Sequence, residues 1–174
     1  MRKLRGIHLA VGFFIVLLLI AVFADFLSSN PPAMQDLDNF YHAPVSIHLF
    51  DTQRQFRWRP FIYKTELTEP LDATYIQETG ITYPLEFFFK GYRYTILGVF
   101  SSDRHLLGRN QSPSYYPLGT DELGRDVLAR VLAGTRTSLL VVGMGIVFYA
   151  AIGLAVGILA GLLEGWVDSL LMRF

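Results

Sequence analysis

From Leu139 to Leu163 the chain runs for 25 residues without a charged side chain. Such a segment has no polar face to present to water. In a bilayer, whose hydrocarbon core takes about 20 residues of helix, it is long enough to cross with some tilt. A single run surrounded by lipid must satisfy its own backbone hydrogen bonds, which dictates a helix. Gly153, Gly157, Gly161 and Gly165 recur at every fourth position and form one stripe on that helix. Small residues at this spacing let helix backbones approach closely in lipid, where packing rather than hydrophobicity drives association. Glycine is also common in membrane helices without that purpose. Four in register favour a packing face, and a packing face needs partner helices.

An earlier apolar run, Leu9–Ala24, has 16 uncharged residues, and Ile7, Phe26 and Leu27 extend it. Arg2, Lys3 and Arg5 precede it. A basic flank before an apolar run is the layout of a signal peptide, with Val22-Phe23-Ala24 as a passable cleavage site. It is equally the layout of a membrane helix with its N-terminus in the cytoplasm. The run is slightly long for a signal peptide and another span follows, so residues 9–27 read as an uncleaved transmembrane helix behind a basic cytoplasmic segment, 1–8. A charged fraction of 17%, against about 25% in soluble domains, agrees with a membrane protein.

Between the two apolar runs the medium changes. Asp25–Ser138 holds 13 of the 15 acidic and 11 of the 15 basic residues. Asn30-Pro31-Pro32 ends the first helix and starts an extended link. Pro44–Phe50 and Phe56–Arg59 alternate apolar and polar, the period of half-buried strands. Tyr83–Phe100 reads as two strands around a turn at Lys90-Gly91. Leu71–Glu78 reads as a short helix, and Asp103–Tyr116 as a loop. Residues 28–116 are thus expected to form a β-rich insertion, outside the membrane if the N-terminus is inside. Phe56, Trp58, Phe61, Tyr63, Phe87, Phe88, Phe89, Tyr92 and Tyr94, at strand spacing, are expected mainly in its core, with a ligand groove as the alternative.

Residues 117–136, PLGTDELGRDVLARVLAGTR, join this region to the long span. Leu118-Gly119 makes a turn, and Thr120 or Asp121 is placed to cap a following helix through a side-chain oxygen. Leu123, Val127, Leu128, Val131 and Leu132 share one helical face, while Glu122, Arg125, Asp126 and Arg130 lie largely on the other. Asp121–Arg125 and Asp126–Arg130 are acid-first pairs four apart, the favourable order on a helix. The segment reads as an amphipathic helix lying at the interface or docking on a bundle, with Arg136 snorkelling at its end. One alternative is a gating or partner-docking role; another is a catalytic or ion-coupling set of Asp121, Arg125 and Asp126, with no histidine or serine placed to work with it. After the span of residues 137–163, residues 164–174 read as a cytoplasmic turn and the start of a third helix, capped by Asp168.

Several chemistries have no support. There is no cysteine, so no disulfide framework, thiolate site or cysteine nucleophile. His8, His42, His48 and His105 lack zinc-site spacing. No G-x-x-x-x-G-K-[ST] phosphate loop occurs, and with a net charge of zero no global field draws nucleic acid.

Leu118–Leu140 resembles the signature that precedes the second transmembrane helix in the ABC-transporter permeases for oligopeptides, dipeptides and nickel, specifically the C-type member of the permease pair. The matching positions are Gly119, Thr120, Asp121, Gly124, Arg125, Asp126, Val127, Arg130, Gly134, Arg136 and Ser138. The glycine-rich helix, Gly161–Phe174 and the basic-flanked first helix resemble neighbouring parts of the same family, and Tyr41–Arg109 more loosely resembles an extracytoplasmic insertion of some members. The resemblance implies an α-helical membrane protein with a β-rich extracytoplasmic insertion, comprising the first two transmembrane helices of a type I ABC importer permease. It implies a multi-pass protein of the bacterial inner membrane that moves peptides or related small solutes and does no covalent chemistry. Its partners would be a second permease subunit, two cytoplasmic ATPases, an external solute-binding protein and the lipid bilayer; no cofactor or metal is implied. Such permeases have more helices than the two read here and a cytoplasmic coupling loop with a Glu-Ala-Ala signature, so the chain reads as an N-terminal fragment. The alternative is a two-span protein displaying a β-rich binding or assembly domain.

Overall fold

The computed structural model describes residues 2–51, 55–69, 72–109 and 114–162. Gly165 and the turn and helix start expected at 164–174 lie outside them. Two compact units meet in sequence between Arg136 and Thr137.

The first unit opens with helix α1, Arg2–Val22, followed by a single extra turn, α2, Ala24–Leu27. Its apolar part, Gly6–Val22, falls short of the length that marks a span by composition alone. After α2 the backbone turns extended at Ser28, and a short 3-10 turn follows at Leu37–Asn39. Among the described residues five strands make two separate antiparallel sheets. β1 (His48–Phe50), β2 (Phe56–Glu69) and β3 (Thr74–Pro84) pair in that order, and β4 (Glu86–Ile96) pairs with β5 (Phe100–Gly108). Leu85 sits between the sheets, its N–H donating to the Pro60 carbonyl at 2.8 Å. It joins Val45, Ile62, Tyr115 and Tyr116 in the unit's core, with Tyr83 and Leu107 against it.

Three local expectations change. Residues 74–78, expected within a short helix over Leu71–Glu78, belong instead to β3, because Thr74, Tyr75 and Ile76 suit a pleated surface and pair with β2; Leu71 lies outside the described residues. The hairpin turn falls at Leu97-Gly98, where both residues have positive φ, rather than at Lys90-Gly91. Gly91 is instead a strand residue over which the His105 ring packs: a Cβ there would stand 2.6 Å from that ring. In consequence β5 continues to Gly108, through part of the stretch expected to be loop. The aromatic set divides. Phe61, Tyr63, Phe89 and Tyr94 are buried, whereas Phe56, Trp58, Phe87 and Phe88 are exposed.

Helix α3, Val127–Leu162, begins in the first unit and continues through the second. It is the one helix among the described residues long and apolar enough to cross a bilayer. At 1.5 Å per residue its Thr137–Leu162 portion is about 39 Å long, more than the ~30 Å hydrocarbon core. The apolar side chains along this portion, among them Val141, Ile146, Val147, Ile152 and Leu159, are exposed, a state that suits lipid or neighbouring helices rather than water.

Candidate functional site: a hydrogen-bonded joint at the start of the long helix

The residues of 117–126 do not form a helix. They fold into a tight loop whose ends meet as an antiparallel bridge between Thr120 and Asp126. Val127 N–H donates to the Gly119 carbonyl at 3.1 Å, and Asp121 N–H to the Arg125 carbonyl at 3.0 Å. The helix starts only at Val127. Its cap is Asp126, not Thr120 or Asp121: Asp126 Oδ1 accepts from the N–H groups of Leu128 at 2.9 Å and Ala129 at 3.3 Å. The signal for this was present, since Asp126 stands directly before the periodic apolar run.

The two glycines of the loop are required by its geometry. Gly119 and Gly124 have φ of 77° and 69°, a region that disfavours any residue with a Cβ. A Cβ on Gly119 would collide with the His42 carbonyl, and one on Gly124 with the backbone of Asp36. The loop therefore lies flat against the 36–42 segment. Thr120 pins the contact from both sides. Its hydroxyl accepts from His42 N–H at 2.8 Å and donates to the Asn39 carbonyl, while its own N–H donates to the His42 carbonyl at 3.0 Å. Tyr41 N–H adds a bond to the Asp121 carbonyl at 3.0 Å.

Charge is organised within this frame. Asp121 accepts from the N–H groups of Leu123 and Arg125 and from Arg125 Nε at 2.8 Å. Arg130 also reaches Asp121 rather than the expected Asp126. Partial desolvation pushes the Asp121 pKa upward, but the Arg125 and Leu123 N–H bonds and the Arg125 charge outweigh it and hold the carboxyl at about 2. Asp126 is 1% exposed. Burial raises its pKa against the opposing bonds from Asn30, Ala129 and Leu128. Asn30 is the partner the sequence did not indicate: its Nδ2 donates to Asp126 Oδ2 at 2.9 Å and to the Tyr115 carbonyl at 2.8 Å. Asp36, equally unforeseen, accepts from the Tyr116 hydroxyl at 2.7 Å, and burial, reinforced by that bond, pushes the tyrosine upward.

A second polar cluster joins the first turns of α3 to the end of α1. Arg136 donates through Nε to the Ala21 carbonyl at 3.0 Å, and its NH1 pairs with Asp25 at 2.7 Å. It thus bonds the Ala21 carbonyl at a helix C-terminus, where a cation is favoured, in place of simple snorkelling. The Asp25 carbonyl faces His105 Nδ1 at 2.8 Å, and the other ring nitrogen of this fully buried histidine faces the Tyr92 carbonyl at 2.9 Å. Ser29 Oγ donates to the Leu107 carbonyl at 2.7 Å.

The sequence-derived residues therefore separate. Gly119, Thr120, Asp121, Gly124, Arg125, Asp126, Arg130 and Arg136 all take part in the joint or flank it. Gly153, Gly157 and Gly161 lie along α3, each with open space where a Cβ would be. Among the described residues no group of three or more His, Asp or Glu could hold a metal ion. The Asp121–Arg125 set itself carries hydrogen bonds and a charge pair.

Over 65 residues the chain is 45% identical to the glutathione transport system permease protein GsiD of Pectobacterium atrosepticum, covering 37% of this chain and 22% of that protein. Over 94 residues it is 37% identical to proteins named as peptide permeases in Brucella abortus and Brucella suis, covering 53% of this chain and 28% of each. No profile of a known protein family matches, nor does any solved structure. The chain thus spans less than a third of the length of these relatives. The first is named as a permease of a glutathione transport system and the others as peptide permeases, in agreement with the permease family that the sequence resembles.

Proposed function

We propose that the chain is part of a permease subunit of an ATP-binding-cassette importer for peptides or related small solutes. α1 with α2 and the apolar part of α3 are its first two spans, the N-terminus is cytoplasmic, and residues 28–116 lie outside the inner membrane. The observation that carries this reading is the joint. The residues that resemble the permease signature are those that lock the loop at 119–126 to the 36–42 segment and tie Arg136 to the end of α1. A joint of this kind serves a machine in which helices tilt as units: it lets the first span and the start of the second move together while solute passes without any bond being made. ATP would be split by two separate subunits on the cytoplasmic side, solute delivered by an external binding protein, and the pore completed by a second permease.

The test is reconstitution of the complete permease subunit that contains this segment with those partners in proteoliposomes, followed by ATP-dependent uptake of labelled glutathione and dipeptides. Uptake should require that subunit and be lost when residues 117–136 are scrambled within it, and uptake that is unchanged by either the omission or the scrambling would refute the proposal. Within the same complex, Gly157→Leu should impair co-purification with the second permease more than Leu159→Ala, because only the first places bulk on the glycine stripe. Equal recovery of the two variants would remove the stripe from the argument.

A further inference from the structure

The turn joining β4 to β5 is Leu97-Gly98-Val99, closed by the Val99 N–H donating to the Ile96 carbonyl at 3.1 Å. Its central residues have φ of 50° and 73°, the sign pattern of a type I′ turn, which ordinarily selects Asn, Asp or Gly at both places. Here the first is leucine, held in a conformation that costs a residue with a Cβ some strain. Leu97, Val99 and Phe100 are each at least 70% exposed. The tip is therefore apolar where turn chemistry asks for a polar residue. Just behind it the surface becomes polar. Arg93, Ser101, Ser102 and Asp103 line one open notch, and Ser101 and Ser102 pair with Thr95 and Tyr94 across the ladder. Of the charges around the notch, Asp103 is engaged by Lys90 at 3.4 Å, while Arg93 and Arg104 leave the arm net cationic.

The base of the same hairpin is fixed at the end of α1–α2. His105 meets the Asp25 carbonyl, Ser29 bonds Leu107, and the Phe88 ring lies 6.1 Å from that of Phe26. At about 3.3 Å per residue the tip is roughly 20 Å from that anchor. An amphipathic element seats its apolar face about 5–10 Å into the boundary between headgroups and acyl chains. Three residues of strand cover about 10 Å, so with the tip at Leu97-Gly98 seated to that depth and the strands along the bilayer normal, Ser101, Ser102 and Arg93 come level with the phosphates.

We propose that the β4–β5 hairpin is a membrane-contacting arm, with Leu97, Val99 and Phe100 seated in the outer leaflet and Arg93 with the serine hydroxyls facing phospholipid headgroups. This rests on the reading of α1 as a span with the β-region outside. The chain has no cysteine, so single spin labels can be placed without background. The full chain is reconstituted in bilayers of phosphatidylethanolamine and phosphatidylglycerol, with labels at Val99→Cys, Ile76→Cys on exposed β3 and Ile15→Cys within α1. Accessibility to oxygen is compared with accessibility to a water-soluble nickel chelate. The expected result is a several-fold higher oxygen-to-nickel ratio at position 99 than at 76, approaching that at 15, and a fall in the ratio at 99 when Arg93→Glu is added. A membrane value at 15 with a water value at 99 overturns the arm alone. Protection of 99 from both reagents also overturns it, in favour of a protein groove. A water value at 15 overturns the span reading and the arm with it.

Discussion

The joint can be tested at Asp126. Hydrogen-bond polarity runs one way through it: the Asn30 amide donates to the Tyr115 carbonyl and to one Asp126 oxygen, and the other Asp126 oxygen accepts from Leu128 and Ala129. A carboxylate accepts on both sides, and an amide cannot. In Asp126→Asn one side must therefore place a donor against a donor. If Asn30 turns over to accept, its oxygen then faces the Tyr115 carbonyl. Leaving one buried donor or acceptor unmatched costs about 1–3 kcal/mol. Relief from burying a charge, the cause of the raised Asp126 pKa, works the other way, so a net loss of about 1–2 kcal/mol is expected. Asp126→Ala should lose about 1 kcal/mol more through the missing helix cap. At 2–4 °C per kcal/mol for a chain of this size, Asp126→Asn should lower the thermal midpoint by roughly 2–8 °C. The assay is thermal unfolding of the full chain in detergent at pH 7 by near-ultraviolet circular dichroism, with Glu122→Gln as a loop control. Because the native pKa is raised, protonation favours the folded state. The wild type should gain on the Asn variant as pH falls from the native value toward the ordinary 3.8. An Asp126→Asn protein as stable as the wild type, or more stable than it, would refute the argument that one-way polarity fixes the joint.

Gly124→Ala should lose folded protein sharply, since it adds a collision with Asp36 to a positive φ, whereas Gly134→Ala, in open space on α3, should be neutral or stabilise by up to about 1 kcal/mol; folded yield by size exclusion separates them. Arg136→Lys keeps the charge but supplies one ammonium where the guanidinium reaches both Ala21 and Asp25, so hydrogen exchange in the last turn of α1 should quicken, and unchanged exchange would remove Arg136 from the joint. Asp121, held at about 2, contributes stability that is full above its ordinary 3.8 and is lost as pH falls from there toward 2. The contribution is about 1–2 kcal/mol after allowance for partial exposure, and acid titration of Asp121→Asn should show a shallower decline across that window.

The sequence by itself marked the one long apolar helix. An uncharged run of 25 residues suits an apolar surrounding because hydrophobic transfer adds residue by residue, and α3 covers that run as far as the described residues go. Strand period found the start of β2 and, of the strand expected at Pro44–Phe50, the last three residues, which are β1; local order marked residues 117–136 as a junction. What neighbours in sequence could not decide was who holds whom. Lys90-Gly91 looks like a turn until His105, from the next strand, is seen to need the space beside Gly91. Thr120 and Asp121 look like caps until the loop is seen to be bonded to His42, Tyr41 and Asn39, which frees Asp126 to cap the helix. The partners that define the joint are far apart along the chain, Asn30 with Asp126 at a separation of 96 residues and Arg136 with Asp25 at 111. A hydrogen bond needs a donor and an acceptor within about 3 Å and correctly oriented. Periodicity and propensity carry no information about such meetings, so only the tertiary fold could bring those groups together and turn a line of capping residues into a joint.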